Sequence, residues 1–325
     1  MKGSRTPFRI SFFGGGTDLP EFYKKYQGRV VCTSINKYMY LFAHKFFDER
    51  IQIKYSKTEL VSKPNEIKHP IAREVLKKFK LRGIDINSIA DIPAGTGLGS
   101  SSSYTVGLIH VLDSYLEKET NKNDLAERAS NIEINILKEP IGKQDQYAAS
   151  FGGLNLFNFN KDGSVNREAI NLKKETLEEL QNNLFMFYTG KIRNASSILY
   201  DQKDRTLNDE FTFDVLCKMS DLVINGKDAL VSNSLKDFGL LLDETWKLKK
   251  LLSKSVSSPL LDSLYNEGIS AGALGGKILG AGGGGFILFY AEPKFHKSLR
   301  KALLKLKEID FRFDFEGSKI IHINQ

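Results

Sequence analysis

The chain has 325 residues, with 47 Lys and Arg against 39 Asp and Glu for a formal net charge of +8, and this length suits two domains or one large one with a core that needs no disulfide or structural metal. Only two cysteines (Cys32 and Cys217), no apolar run of the ~20 residues that span a bilayer, and an N-terminus without a signal-peptide core predict a soluble, cytoplasmic protein with no membrane partner. The basic residues are scattered among acidic ones, with no basic stripe or interleaved aromatics, which argues against nucleic acid and suits a small phosphorylated ligand.

The first 60 residues read as β structure. Phe8, Ile10 and Phe12 alternate with Arg9 and Ser11, and Ile51, Ile53 and Tyr55 alternate with Gln52 and Lys54. Between them Val30 to Phe47 is rich in β-branched and aromatic residues, and Asp48-Glu49-Arg50 is predicted to turn a hairpin. A helix is predicted over Pro70 to Phe79, then a strand near Ser88 to Ile92. A glycine-rich loop and a long helix follow, and a second helix is predicted from an Asn123 cap, ending by Glu139 because Pro140 disfavours helical backbone before it. Strands are predicted at Gly153 to Phe157, Leu184 to Tyr188 and Phe286 to Tyr290, with helices up to Tyr265 and a closing hairpin from Phe311 to Ile323. Strands and helices mix without regular βαβ alternation, so the expected class is α+β. The domain boundary is placed near residue 180, giving units 1–180 and 181–325.

Three segments carry chemistry. In Pro93 to Ser103, Gly95, Gly97 and Gly99 let the backbone approach a ligand, and the following helix offers free N–H groups and the positive end of its dipole to an anion. Gly99 is followed by Ser100 rather than Lys, so this is not a Walker A loop, and Gly14-Gly15-Gly16 lacks the spacing of a dinucleotide fingerprint. Second, Glu133 sits at the edge of the buried face of its helix, and Asp145 comes 145 − 133 = 12 residues later. One such carboxylate suits a metal and the other a proton from a hydroxyl, and the spacing does not assign which. Third, the glycines between Gly275 and Gly285 suit a backbone that passes close to a ligand or to another strand.

Together and in this order, these segments resemble the GHMP small-molecule kinases, which include galactokinase, homoserine kinase and mevalonate kinase. Pro7 to Asp18 is similar to the first family motif, Pro93 to Ser102 to the ATP-binding second, and Lys277 to Gly285 to the third. The resemblance implies a two-domain fold, with a ribosomal-S5-domain-2-like N-terminal domain and a ferredoxin-like C-terminal domain around a cleft. It implies ATP held at Pro93, Gly95, Gly97, Leu98, Gly99, Ser100, Ser101 and Ser102, and Mg2+ held by Ser101 and Glu133. Asp145 matches the catalytic base of the galactokinase and mevalonate kinase branches, and Arg9 falls where a cation stands beside it to stabilise phosphoryl charge. Substrate would meet Gly15, Gly16, Thr17, Asp18, Gly282 and Gly283. A homodimer is compatible with the resemblance.

Galactokinase carries a Glu-His pair where this chain has Gly15 and Gly16, while Asp18 is kept. Two missing side chains and one missing carboxylate leave room for a larger, anionic sugar. Arg5 to Leu19 and Phe187 to Arg193 are most similar to the branch that phosphorylates D-glycero-D-manno-heptose 7-phosphate at its anomeric hydroxyl, with L-fucokinase the nearest competitor. A non-catalytic metabolite binder on the same fold is the alternative of another class, against which stand the retained Ser101, Glu133 and Asp145. Lys191 and Arg193, just before a helix expected from Ala195, are predicted to hold the sugar's own phosphate.

Overall fold

The computed structural model describes residues 1–191 and 195–322. The first half supplies β1 (Lys2–Phe13), β2 (Gly28–Lys45), β3 (Ile51–Lys54), β4 (Thr58–Val61), β5 (Ile84–Ala90), β6 (Leu154–Phe159) and β7 (Val165–Ala169). The second half supplies β8 (Leu184–Tyr188), β9 (Ala273–Ile278), β10 (Phe286–Ala291), β11 (Lys307–Glu308) and β12 (Lys319–His322). One sheet runs β12-β1-β2-β5-β3-β4, with β6 on the near end of β2 and β7 beyond it; the other is antiparallel in the order β11-β8-β10-β9. The mixed, non-alternating architecture is that of an α+β protein with two sheets. Among the described residues no helix is long and apolar enough to cross a membrane.

Four local expectations change. Asp48 to Arg50 does not close a hairpin, because β5 arrives from later in the chain and pairs with both β2 and β3, the latter in parallel. The helix after the glycine-rich loop's own helix is capped by Asn121, whose side chain accepts from the Asp124 N–H at 2.8 Å, rather than by Asn123. The expected hairpin from Phe311 to Ile323 is replaced by β12 alone, which crosses back to pair with β1; Ile323 lies outside the described residues. Within the third motif, Gly275 and Gly276 belong to β9, and a Cβ on Gly275 would collide with the Gly239 carbonyl of the helix Leu235–Leu252. There the glycines serve close packing of helix on strand. The helix expected over Pro70 to Phe79 forms over those residues.

The helix Ser100–Tyr115 is buried on nearly every side, so its packing sets where its N-terminus points. Gly107 allows the close approach: a Cβ there would stand 2.8 Å from Thr6 Oγ1 and from Leu41 Cδ1. Ser4 Oγ donates to the Gly107 carbonyl at 2.9 Å, and Ser103 Oγ to the Pro7 carbonyl at 2.8 Å. The two halves join at the end of β1, where Phe12 and Phe13 both meet Phe238 edge-on at 5.3 Å. The buried Lys277 of β9 donates to the Phe12 carbonyl at 2.8 Å. Burial drives its ammonium well below the usual lysine range. These contacts hold the first motif, the long helix and the third motif around one cleft.

Candidate active site

The cleft is a cavity of about 870 Å3, and Arg9, Asp18, Gly97, Gly99, Ser101 and Asp145 are among the residues that line it. Arg9 reaches across its floor. Arg9 Nε and Nη2 donate to the two carboxylate oxygens of Asp145, each at 2.7 Å, and Nη1 donates to the Gly97 carbonyl at 2.6 Å. A two-pronged guanidinium–carboxylate pair fixes orientation as well as charge. Arg9 is 6% exposed, while the Asp145 side chain keeps 25% exposure toward the cavity. Asp145 is therefore aimed and held, yet open to a ligand.

The glycine-rich loop runs on backbone that suits glycine alone. Gly95, Gly97 and Gly99 have φ of +78°, +86° and +78°, backbone that other residues adopt only with strain. Gly99 is the N-cap of the helix Ser100–Tyr115 and brings no side-chain hydrogen bond, so the first-turn N–H groups stay free for an anion. Pro93, Gly95, Gly97, Gly99, Ser100 and Ser101 line the cavity, while Leu98 is fully buried and Ser102 is 1% exposed. The loop is also locked to the third motif. A Cβ on Gly97 would collide with the Leu279 carbonyl. Gly97→Ala is thus expected to weaken nucleotide binding through a displaced loop in a protein that still folds; an unchanged nucleotide Kd in folded protein, measured by calorimetry, would count against the loop's role.

Glu133 lies in a π-helical turn, Asn131–Ile136, that closes the preceding helix, and π-turns recur at functional sites. It is 1% exposed, and burial pushes its carboxyl up to about 7, opposed by the Gln146 amide and by the nearby hydroxyls of Ser102 and Ser101. Gln146 Nε2 donates to it at 2.7 Å; the Ser102 hydroxyl lies close but completes no hydrogen bond. A buried carboxylate beside an orphaned hydroxyl fits a small hard cation that keeps water and phosphate oxygens as its other ligands. Among the described residues no group of three or more His, Cys, Asp or Glu converges on a metal.

Because the folded chain holds that proton more tightly than the unfolded chain, whose carboxyl titrates near 4.5, its stabilisation is full below 4.5 and lost as pH rises through about 7. Metal-free protein should therefore lose thermal stability between about pH 5 and about pH 8. Glu133→Gln should flatten that loss. Unfolding curves in chelator at both pH values, with equal slopes for the two proteins, would contradict this.

Gly15, Gly16 and Asp18 line the same cavity. Asp18 accepts from the Gly16 N–H at 3.0 Å and the Gln144 N–H at 3.2 Å; burial, with Asp145 nearby, raises its carboxyl above the usual range against those two bonds. Thr17 is buried off the cavity, its hydroxyl donating to the Arg29 carbonyl at 2.7 Å and accepting the Arg29 N–H at 3.0 Å. Gly282 and Gly283 pack against Val256, Gly283 donating to its carbonyl at 2.8 Å, and Gly280 and Ala281 line the cavity instead. Lys191 is exposed and away from the lining, with its carbonyl accepting from the Gly285 N–H at 2.7 Å; Arg193 lies outside the described residues.

Gln144, Gln202 and Lys249 are among the cavity residues that escape the sequence reading. Gln144 and Gln202 carry no motif of their own. Lys249, from the helix Leu235–Leu252, does have a signal: Leu242, Thr245, Trp246, Lys249 and Leu252 share one buried face, and a lysine in that register is out of place unless it has a task. Burial and then Arg9 bring its ammonium down to about 8, against the pull of Asp18 and Asp145. Part of the lining is apolar and aromatic, where His69 stacks on Tyr104 at 4.7 Å and Tyr55 meets His69 edge-on at 4.8 Å.

Comparison with known proteins accords with this geometry. The family model described as GHMP kinases N terminal domain matches residues 65–153, and GHMP kinases C terminal matches 227–305. The chain is 31% identical over 331 residues, 97% of each protein, to the D-glycero-alpha-D-manno-heptose 7-phosphate kinase of Campylobacter jejuni. It is 28% identical over 71% of its length to the L-fucokinase/L-fucose-1-P guanylyltransferase of Bacteroides fragilis, covering 24% of that longer protein. The crystal structure of a D-glycero-D-manno-heptose 1-phosphate kinase from Bacteroides thetaiotaomicron shares the fold at TM-score 0.83, with 24% identity and full coverage of both chains. The two-sheet architecture, the two family segments and the full-length relative agree, and the chain belongs to the GHMP kinase family.

Proposed function

We propose that the protein is an ATP-dependent sugar kinase that phosphorylates the anomeric hydroxyl of D-glycero-D-manno-heptose 7-phosphate, giving the 1,7-bisphosphate. One observation carries the kinase reading: Asp145, clamped by Arg9, opens into the same cavity as the uncapped N-terminus of the helix Ser100–Tyr115. The heptose assignment is supported by the Campylobacter jejuni relative and by the room left at Gly15; at Gly16 the Gln202 amide already fills the space a side chain would take.

In this reading the first-turn N–H groups and the loop from Pro93 to Ser101 hold the nucleotide phosphates, and the aromatic part of the lining beside Tyr104 takes the base. Glu133 and Ser101, with the orphaned Ser102 hydroxyl, would hold Mg2+, which neutralises phosphate charge when bound. Asp145 accepts the proton of the sugar hydroxyl. Arg9 keeps that carboxylate in line and faces the charge that develops on the transferred group. Residues 1–180, with the returning β12, form the nucleotide side, and 181–325 supply most of the opposing wall. A protein that consumes ATP and keeps a buried thiol at Cys32 belongs in the cytoplasm.

The test is a coupled ADP-release screen over heptose 7-phosphate, unphosphorylated heptose, L-fucose and galactose, with and without Mg2+. The expected result is Mg2+-dependent ADP release greatest with heptose 7-phosphate. Fastest release with L-fucose would move the substrate to the fucokinase class, and no release with any sugar would favour a non-catalytic binder.

A further inference from the structure

Beside the glycines of the first motif, one wall of the cavity carries two unpartnered amide donors and an ammonium. A Cβ placed on Gly15 would stand 3.3 Å from Ser11 Oγ, 3.9 Å from Lys249 Nζ and 4.0 Å from Gln144 Oε1, and one on Gly16 would collide with Gln202 Nε2. Lys249 and Gln202 therefore flank adjacent glycines. Both come from helices of the second half, Leu235–Leu252 and Ala195–Asn208, and reach across to the first. Gln144, Gln202 and Lys249 are 3%, 1% and 5% exposed. The amide nitrogens of Gln144 and Gln202 have no hydrogen-bond partner among the described residues, although both side chains line the cavity. Lys249 donates to the Gly280 carbonyl, and an ammonium carries three donors.

Buried N–H groups without partners are unfavourable, and two of them beside a buried ammonium call for a ligand rich in acceptors. A sugar hydroxyl could find an acceptor here as well, at the Gln144 or Asp18 oxygens, but it would leave the buried ammonium of Lys249 without an opposite charge. Asp18, which lines the same cavity, already accepts from Gly16 and Gln144. A phosphate accepts at every oxygen and brings the opposite charge to Lys249. We propose that Lys249, Gln202 and Gln144 form the subsite for the phosphate that the sugar acceptor already carries. This rests on the reading of the protein as a sugar phosphate kinase.

The nucleotide's terminal phosphate shares that chemistry. Lys249 lies near both regions, since it feels Arg9 and Asp145 and bonds Gly280, which packs on Gly97, whereas Gln202 is set against Gly16 of the first motif and places the subsite on that side. Glycine at 16 is called for twice, by its φ of +108° and because any larger side chain would displace the Gln202 amide.

Calorimetry on the full chain tests this, using heptose 7-phosphate, unphosphorylated heptose and a non-hydrolysable ATP analogue as probes. Wild type is expected to prefer the phosphorylated sugar. Lys249→Met and Gln202→Leu are each expected to lose that preference by about tenfold or more, the usual worth of a hydrogen bond to a charged group, with unchanged affinity for the analogue. If Lys249→Met does not fold by circular dichroism, Gln202→Leu decides, since its amide nitrogen has no partner to lose. The subsite is overturned if the variants keep the wild-type preference, if they weaken the analogue instead, or if wild type shows no preference. ADP release is read in parallel: wild type that binds the sugar phosphate tightly but never transfers to it overturns the kinase reading and leaves the subsite standing.

Discussion

Asp145→Asn should lower turnover by about 10²–10⁴, the range expected for a positioned general base, with nucleotide affinity little changed. Asn keeps the shape and removes the capacity to take a proton, and it also breaks one of the two bonds to Arg9, which donates to both carboxylate oxygens. The measurement is steady-state turnover at saturating sugar and ATP, beside a nucleotide titration. Near-full activity would show that orientation and electrostatics carry the transfer alone, which a loose phosphoryl-transfer transition state permits.

Arg9→Met should be as damaging, by about 10²–10³ in turnover, because one side chain serves both partners of the reaction. It bonds to Asp145 twice and to the Gly97 carbonyl once, so its loss frees the base and releases the phosphate loop together. Arg9→Lys should recover little. A lysine brings the charge but not the fork that meets two carboxylate oxygens and a carbonyl at once. Turnover of Arg9→Lys close to wild type would mean that charge, not geometry, is what the site needs.

The parts that sequence made legible are those in which chemistry and chain order coincide. Gly95 to Ser102 opens a helix whatever surrounds it, and the helix Pro70–Phe79 carries its apolar residues Ile71, Ala72, Val75 and Leu76 on one buried face. Long-range pairing was not readable in the same way. Asp48 to Arg50 looks like a hairpin turn, yet β5 lies between the strands it joins, and β12 finds its partner in β1 at the far end of the chain. Lys249 hides among the exposed Lys247 and the half-buried Lys250, which pair with Asp243 and Asp262, and only the helical register separates it from them. Gln202 leaves no sequence signal, because a glutamine on an amphipathic helix is unremarkable until a glycine from another motif is set against it.

The most direct test of the central claim is the site of phosphorylation. Phosphorus NMR of the product formed from ATP and heptose 7-phosphate should show two sugar phosphates, the new one coupled to the anomeric proton. A new phosphate on any other hydroxyl, or ADP formed with no second sugar phosphate, would contradict it.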